Sequence, residues 1–365
     1  MRILHYYDNR DDMVSQHVKM LTENMGPEAE NYAVAEEEKA RTLLCGTHYD
    51  VLHIHGCWRN ATRSIVKQAL HQGTRLVLTP HGQLEPWIQK EDFWKEKLPK
   101  RILYQRAVVQ QAYAVVVQGQ MEQECMEQLG WNRRLLVIRN AVLTSSTTTT
   151  EMSQKTFSLY RKVMDSNPLE LMNDSVQHSL RSILLAGTTG DKRWLDPSDT
   201  MPSFSNEEWR LLLCFAHQEH IMDTMMRGLR VLGLNTPDID TAAIDFFLPD
   251  KYQETKSIQE VIGNQFPSEN ERLLATFRLL RKWSAAGLLS IRHLIELNRE
   301  LRQYPCNEEE LVDELRERRL FPFASRMMQL MDEQTGLTEG FMPMPPTNDR
   351  TTRRLARQIR NHLKI

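Results

Sequence analysis

Two histidine–glycine pairs each end an apolar stretch of the sequence, and a tryptophan follows each pair closely. The first lies in HIHGCW at 53–58 and the second in TPHGQLEPW at 79–87. An imidazole can donate, accept or transfer a proton near neutral pH, and glycine lets a ligand approach the backbone. A tryptophan offers a flat apolar face to a sugar ring or a base. These motifs predict a site that includes His55, Gly56, Trp58, His81, Gly82 and Trp87.

A structural interpretation of the same histidines stands beside this one. Histidine and glycine at the end of a strand can simply form a turn. His53 alternates with Leu52 and Ile54, as a packed strand residue does. We therefore interpret His53 as a packing residue and keep His55 and His81 as site candidates, because their Gly–Trp context recurs.

The residues around these pairs alternate between strand-like and helix-like patterns. Short apolar runs predict strands at 2–7, 31–35, 50–56, 75–82, 113–119 and 134–142. Amphipathic segments predict helices at 13–26, 60–73, 98–112 and 120–131. Gly26, Gly73 and Gly130 are the expected caps at the helix ends. This alternation is typical of an α/β protein with a doubly wound, Rossmann-like parallel sheet.

The predicted sheet brings the candidate residues to one edge. Ligands of an open parallel sheet bind outside the carboxyl ends of its strands. That rule places His55 and His81 beside the loop after the first strand, which contains Asp8 and Asn9. We expect Asp8 and Asn9 to line the same binding site.

The second half of the chain has a different pattern. The threonine-rich segment 144–156 lacks apolar periodicity and predicts a linker or surface loop, and SILLAGTTGD at 182–191 allows one further strand. Most of the rest is helical in pattern. We expect a Rossmann-like domain over 1–145, a linker over 146–180, a mostly helical domain over 181–340, and a second linker with a basic helix over 341–365.

Composition narrows the class of protein. The 365 residues carry a net charge of −2, which gives no global attraction to nucleic acid. The five cysteines are widely spaced and fit neither a disulfide framework nor a zinc-ligand spacing, so we expect reduced thiols and no bound metal. We find neither a signal peptide nor an apolar stretch of the ~18 residues that a membrane span needs. We expect a cytoplasmic protein.

The carboxyl-terminal segment 350–365 is the candidate for membrane contact. Leu355, Ile359 and Leu363 recur every four residues among several arginines. Such a helix either packs its apolar stripe on its own domain or lies on the inner face of an anionic membrane. Packing is the favoured interpretation, and peripheral membrane contact is the alternative.

Several segments together resemble the family 4 glycosyltransferases. DVLHIHGCW, LVLTPHGQLEPW and AVVVQGQMEQECMEQLGW, followed by LLVIRNAV, are similar in order and spacing to the amino-terminal domain of that family over residues 1–145. The resemblance implies a GT-B architecture of two Rossmann-like domains. It also implies transfer of a sugar from a nucleotide donor, usually with retained stereochemistry and without metal or other cofactor. His81 corresponds to the histidine that faces the reaction centre.

The sequence departs from the family pattern in two regions. The first loop, 8–17, lacks the glycine pair usual near the donor diphosphate and instead carries acidic residues that repel phosphate. In the second half, Lys192 and Arg193 in LLAGTTGDKRW are the nearest equivalents of the family's phosphate-binding cations.

Two functions follow from this resemblance. The leading hypothesis is a retaining hexosyltransferase that moves a sugar from a nucleotide-sugar donor to a glycan or lipid-linked acceptor in bacterial surface-polysaccharide assembly. The alternative is a relative without transfer activity that binds a glycan or a protein. A second parallel sheet within 182–320 would favour the enzyme, and a helical body would count against a donor site of the family type.

Overall fold

The computed structural model describes residues 1–85, 104–195, 203–239, 243–249, 252, 254, 256–263 and 265–365. The chain forms two compact units. The sheet unit comprises Met1–Ser166 and Asp245–Phe247, and the helical unit comprises Asn167–Ile244 and Leu248–Ile365.

All six predicted strands are present in the sheet unit. They are β1 (Arg2–Tyr6), β2 (Glu30–Val34), β3 (Val51–His55), β4 (Arg75–Thr79), β5 (Ala114–Val117) and β6 (Leu135–Val137). Each pairing is parallel, and the strand order is β2-β1-β3-β4-β5-β6. The predicted Rossmann-like sheet is confirmed.

Helices alternate with these strands. They are α1 (Asp12–Glu23), α2 (Glu37–Gly46), α3 (Ala61–His71), α4 (Arg106–Gln111), α5 (Gln120–Leu129) and α6 (Thr149–Asp165). The predicted helices are present in their described parts. Helix α2 was not predicted, because it is strongly charged and buries only Ala40 and Leu44.

The two faces of the sheet differ in chemistry. Leu4 and Leu52 lie on the face that packs against α2 and α3 in an apolar core. His5 pairs with His53 in the parallel register, so both side chains lie on the opposite face. Helices α1 and α6 contact each other and cover that face. The chain therefore presents polar residues between the sheet and these two helices.

The segment 146–180, predicted as a linker, instead contains α6 and the start of a further helix. The Thr148 hydroxyl caps α6 by accepting a hydrogen bond from the Glu151 N–H. Beyond this polar first turn, the helix buries Met152, Leu159 and Tyr160. The sequence did not predict this helix because the threonine run forms only its cap and its first turn.

The helical unit has no strand among its described residues. Its helices are α7 (Asp174–Thr189), α8 (Asn206–Gln218), α9 (Met222–Leu232), α10 (Ile258–Ile262), α11 (Glu269–Ala286), α12 (Ile291–Gln303), α13 (Glu308–Glu317), α14 (Phe321–Thr335) and α15 (Arg350–Arg360). The prediction of a mostly helical second part is confirmed, and the further strand that the sequence allowed within 182–191 is instead part of α7.

Helix packing explains why the chain is helical from 182 to 189. A Cβ at Gly187 would overlap the carbonyl oxygen of Thr224, and one at Gly228 would overlap the carbonyl oxygen of Ile183. The two glycines therefore allow α7 and α9 to pack with their backbones in contact. Gly187 therefore serves the contact between these two helices.

The carboxyl-terminal helix α15 packs on its own unit. Asp349 caps it and is held by the Arg326 guanidinium at 2.6 Å. Leu355, Ile359 and Leu363 are buried, while the neighbouring arginines are exposed. Across the described residues, no helix is both long enough and apolar enough to cross a membrane.

Candidate functional site

Five histidines meet at the carboxyl ends of β1, β3 and β4. His5 and His53 lie side by side on β1 and β3, His55 ends β3, and His81 follows β4. His17 reaches the group from α1, with its ring centroid 5.6 Å from that of His55 and 4.9 Å from that of His81. Strand β1 lies between β2 and β3, so β2 is added on one side of β1 and the later strands are added on the other side. Open parallel sheets bind their ligands at such a point.

Three of the imidazoles form a continuous hydrogen-bonded chain. His5 Nδ1 lies 3.1 Å from His55 Nε2, and His55 Nδ1 lies 3.3 Å from His81 Nε2. A side-chain amide closes each end: Asn31 Oδ1 lies 3.2 Å from His5 Nε2, and Gln118 Nε2 lies 2.7 Å from His81 Nδ1. We call this set of five side chains the imidazole chain.

The amides fix the direction of the imidazole chain. Because Asn31 Oδ1 can only accept, His5 carries its hydrogen on Nε2 and accepts at Nδ1. The same reasoning then makes His55 and His81 donate through Nε2. At the far end, the Gln118 amide donates to His81 Nδ1. All three rings are therefore neutral Nε2–H tautomers.

Burial keeps the whole cluster uncharged. Removal from water lowers the pKa of His5 to about 4 and holds those of His53, His55 and His81 well below the usual value. It also lowers the pKa of His17, against the opposing effect of its hydrogen bond to Asn140. At neutral pH the site therefore offers lone pairs and N–H donors but no cationic imidazole.

His53 has both ring nitrogens engaged inside the protein. Its Nδ1 lies 2.6 Å from the Tyr160 hydroxyl and its Nε2 lies 2.7 Å from the Thr79 hydroxyl. The side chain is only 1% exposed. These contacts support the interpretation of His53 as a packing residue.

His17 has a defined tautomer. Its Nδ1 lies 3.0 Å from Asn140 Oδ1, an oxygen that also accepts a hydrogen bond from the Val142 N–H at 3.0 Å. The oxygen therefore faces His17, so Nδ1 carries the hydrogen and Nε2 carries a lone pair. Asn140 comes from the segment RNAV, 123 residues away in the sequence.

Glu122 holds the loop that carries His81. Its carboxylate accepts from the Gly82 N–H at 2.6 Å and from the Gln118 N–H at 2.7 Å. Burial raises the pKa of this carboxyl, and the two N–H donors oppose the rise. His81 and Gly82 both have positive φ, at 52° and 76°, so the loop needs such an anchor. Sequence reasoning missed Glu122 because it resembles other glutamates of an amphipathic helix.

Trp58 joins the loops after β3 and β4. Its indole N–H donates to the Gln83 carbonyl oxygen at 2.9 Å, and the ring packs, partly buried, against the apolar core. The Gln83 side chain also accepts from the Cys57 N–H at 2.6 Å, beside Gly56. The structure thus brings Gly56 and Trp58 to the predicted edge. Trp87 lies outside the described residues.

The first loop contains internal ion pairing. A terminal guanidinium nitrogen of Arg10 lies 2.8 Å from an Asp8 carboxylate oxygen, and this hydrogen bond lowers the pKa of the Asp8 carboxyl. Asn9 is exposed, and Asp11 caps α1 by accepting from two backbone N–H groups. Asp8 and Asn9 lie at the carboxyl end of β1 as predicted, and Asp11 has a structural role.

Lys192 and Arg193 lie in the helical unit on a short 3₁₀ turn. They follow the carboxyl end of α7 and not a strand end. Both are exposed, and the Arg193 Nε donates to the Asp191 carboxylate at 2.6 Å. The segment that carries them is therefore a helix end and a 3₁₀ turn, and not the further strand that the sequence allowed.

Comparison with known families identifies the first part of the chain. Residues 16–141 match the family of glycosyl transferase 4-like domains. No curated protein and no solved structure matches the chain. The matched range contains His17, His53, His55 and His81, together with Gln118 and Asn140, whereas His5 and Tyr160 lie outside it. Residues 16–141 therefore form a glycosyl transferase 4-like domain.

Proposed function

We propose that the protein transfers a sugar from a nucleotide-sugar donor to a glycan or lipid-linked acceptor, as a retaining enzyme of bacterial surface-polysaccharide assembly. One observation carries the proposal. A glycosyl transferase 4-like domain brings neutral histidines together at the carboxyl ends of its strands, at the point where the order of the strands reverses. In this proposal Asp8, Asn9, His55, Gly56, Trp58, Gly82 and Trp87 contact the substrates.

His81 is the proposed contact of the transferred sugar. It is the one histidine of the cluster that is half-buried, whereas the other four are buried. The imidazole of His81 both donates and accepts, and a sugar hydroxyl would replace His55 or Gln118 at one of its ring nitrogens. Its lowered pKa and its hydrogen bonds favour a role in binding and orientation.

Contacts with the donor diphosphate and the membrane are further parts of the proposal. The exposed Lys192 and Arg193 are the proposed phosphate contacts. A lipid-linked acceptor would bring the protein to a membrane surface, where the exposed arginines of α15 would meet anionic headgroups. Because the apolar stripe of α15 is buried, this contact would be electrostatic and sensitive to salt.

A second candidate is a binding protein without transfer activity. It is favoured by the helical unit, whose described residues form no second sheet. Moreover, three arginines around one cavity there already have internal partners: Arg272 pairs with Glu300 at 2.7 Å, Arg292 with Glu296 at 2.9 Å, and Arg299 with the Thr224 hydroxyl at 2.9 Å.

Calorimetry and an activity assay separate the two candidates. The full chain is titrated with uridine, guanosine and adenosine diphosphate sugars, and donor turnover is followed by release of the nucleoside diphosphate. We expect one donor to bind and His81→Ala to lower turnover at least 100-fold. The control is His71→Ala, an exposed histidine at the end of α3. Binding of a glycan with no donor bound would favour the second candidate.

A further inference from the structure

We propose that His17, His55 and His81 together bind one divalent transition-metal cation. We call this set the three-histidine site. The proposal is independent of sugar transfer, because it rests on the geometry of three side chains and is tested by metal binding alone.

The separations of the three rings match those of a metal site. One ring nitrogen from each histidine lies within 4.8 Å of the other two. His55 Nδ1 and His81 Nε2 are 3.3 Å apart. With Zn–N bonds of ~2.0–2.1 Å and tetrahedral angles, ligating nitrogens lie about 3.4 Å from each other. The three ring centroids are also evenly spaced, at 4.9, 5.5 and 5.6 Å. Small rotations of the side chains complete the ligand set.

The other nitrogen of each ring has a partner that orients it. Metal-binding histidines usually hold their second nitrogen in such a hydrogen bond, which fixes the ring and its tautomer. The pairs here are His17 Nδ1 with Asn140, His55 Nε2 with His5, and His81 Nδ1 with Gln118. An outer shell of this kind is typical of built metal sites.

Two of the three ligands already have the required tautomer. His17 Nε2 and His55 Nδ1 carry lone pairs, as the hydrogen bonds to Asn140 and His5 show. His81 must move its hydrogen from Nε2 to Nδ1. A half-turn of the Gln118 carboxamide then presents its oxygen to that hydrogen. No charged group has to be created, because all three rings are neutral ligands.

A second trio, His5, His53 and His55, lies within the same ligand distances but is less suitable. Both nitrogens of His53 are bound by residues outside that trio, Tyr160 and Thr79, whereas the bond between His55 and His81 lies within the three-histidine site and would be replaced by the metal. All three rings of the second trio are also buried. In the three-histidine site, by contrast, His81 is only half-buried. We therefore expect three protein ligands and a fourth position for water or a substrate oxygen, as in catalytic zinc sites.

Metal binding to the full chain tests the proposal. After treatment with a chelator, the protein is dialysed against Zn²⁺ and the bound metal is measured by elemental analysis. We expect one Zn²⁺ per chain, and at least tenfold weaker binding in His17→Ala and in His81→Ala. The controls His71→Ala and His48→Ala remove exposed histidines of the same unit and should bind as the unchanged chain does.

Cobalt supplies a readout that needs no variant. Co²⁺ bound by three imidazoles in a tetrahedral site absorbs strongly in the visible range, and octahedral Co²⁺ absorbs weakly. A tetrahedral spectrum that Zn²⁺ displaces supports the site, even where a substituted chain fails to fold. The proposal is overturned by an octahedral spectrum, by no binding at 100-fold excess metal, or by full binding in a folded His17→Ala protein.

Discussion

The two units bury very different side chains. The sheet unit encloses five imidazoles with their amide and hydroxyl partners at one end of its sheet, whereas the helical unit encloses a large core of leucine and methionine. Burying a polar group is unfavourable unless hydrogen bonds compensate, so a concentrated polar interior indicates a role beyond packing. The helical core has the composition expected of packing alone.

A single buried histidine in the helical unit sharpens the contrast. His293 stacks on Trp283 at 4.3 Å and accepts a hydrogen bond from the Ser290 N–H at 3.1 Å. Burial lowers its pKa to about 4, as it does for His5. Burial and a lowered pKa therefore do not distinguish a histidine of a functional site from one that caps the start of a helix. The convergence of several rings from separate elements does.

Acid should destabilise the sheet unit far more than the helical unit, and this is the largest effect we predict. The imidazole pKa values are lowered in the folded state, so protons bind the unfolded chain first. Stability is then lost as the pH falls from about 6.5 to about 4, by about 3 kcal/mol for His5 alone. Hydrogen exchange at pH 7.5 and at pH 5, followed separately for each unit, measures this loss of stability. Equal loss of protection in both units would contradict it.

In the helical unit, the sensitive contacts are between backbones. Gly187→Ala places a methyl group on the Thr224 carbonyl oxygen and should lower the free energy of unfolding by about 2 kcal/mol. The matched control is Gly340→Ala, where an added Cβ meets nothing within 4 Å. Urea unfolding followed by circular dichroism compares them. The close packing of α7 and α9 would be refuted by equal stability of the two variants.

Loss of one hydroxyl should weaken the polar interior of the sheet unit by a smaller amount. Tyr160→Phe leaves His53 Nδ1 without its partner and should cost about 1.5 kcal/mol of unfolding free energy. Tyr304→Phe, at a residue 38% exposed, is the control. Thermal unfolding of both variants gives the comparison, and an unchanged melting temperature for Tyr160→Phe would show that the hydroxyl contributes little.

The smallest effect on stability is expected at Arg193. Its side chain is 85% exposed, so Arg193→Ala should leave the unfolding free energy almost unchanged. Donor affinity, measured by calorimetry on the same variant, should fall about tenfold through loss of a phosphate contact. An unchanged affinity would remove Arg193 from the donor site.

The sheet could be predicted because its short strands are rich in apolar residues and alternate along the chain with amphipathic segments. The segment 182–191 could not be assigned correctly, because its leucines, glycines and threonines suit a strand as well as a helix. Its conformation is decided by contact with Gly228 and Thr224 on another helix. Local sequence carries no information about that contact.

The candidate site was predictable only in part. His55 and His81 could be found because a repeated Gly–Trp context marks them. His5 lies within an apolar strand and His17 on an amphipathic helix, and both fit packing equally well. Gln118 and Asn140 are ordinary polar residues until the fold places them against imidazoles. Their roles depend on contacts between distant segments.

The imidazole chain has an electrical polarity. Because each ring donates toward Asn31, the ring dipoles point the same way and reinforce one another. The electron-rich end of this line is His81 Nδ1, on the one half-buried ring, and it accepts a hydrogen bond from the Gln118 amide. Such an end attracts cations and hydroxyl hydrogens and disfavours phosphate oxygens. A nucleotide sugar would therefore meet His81 with its sugar hydroxyls and keep its diphosphate away from that ring.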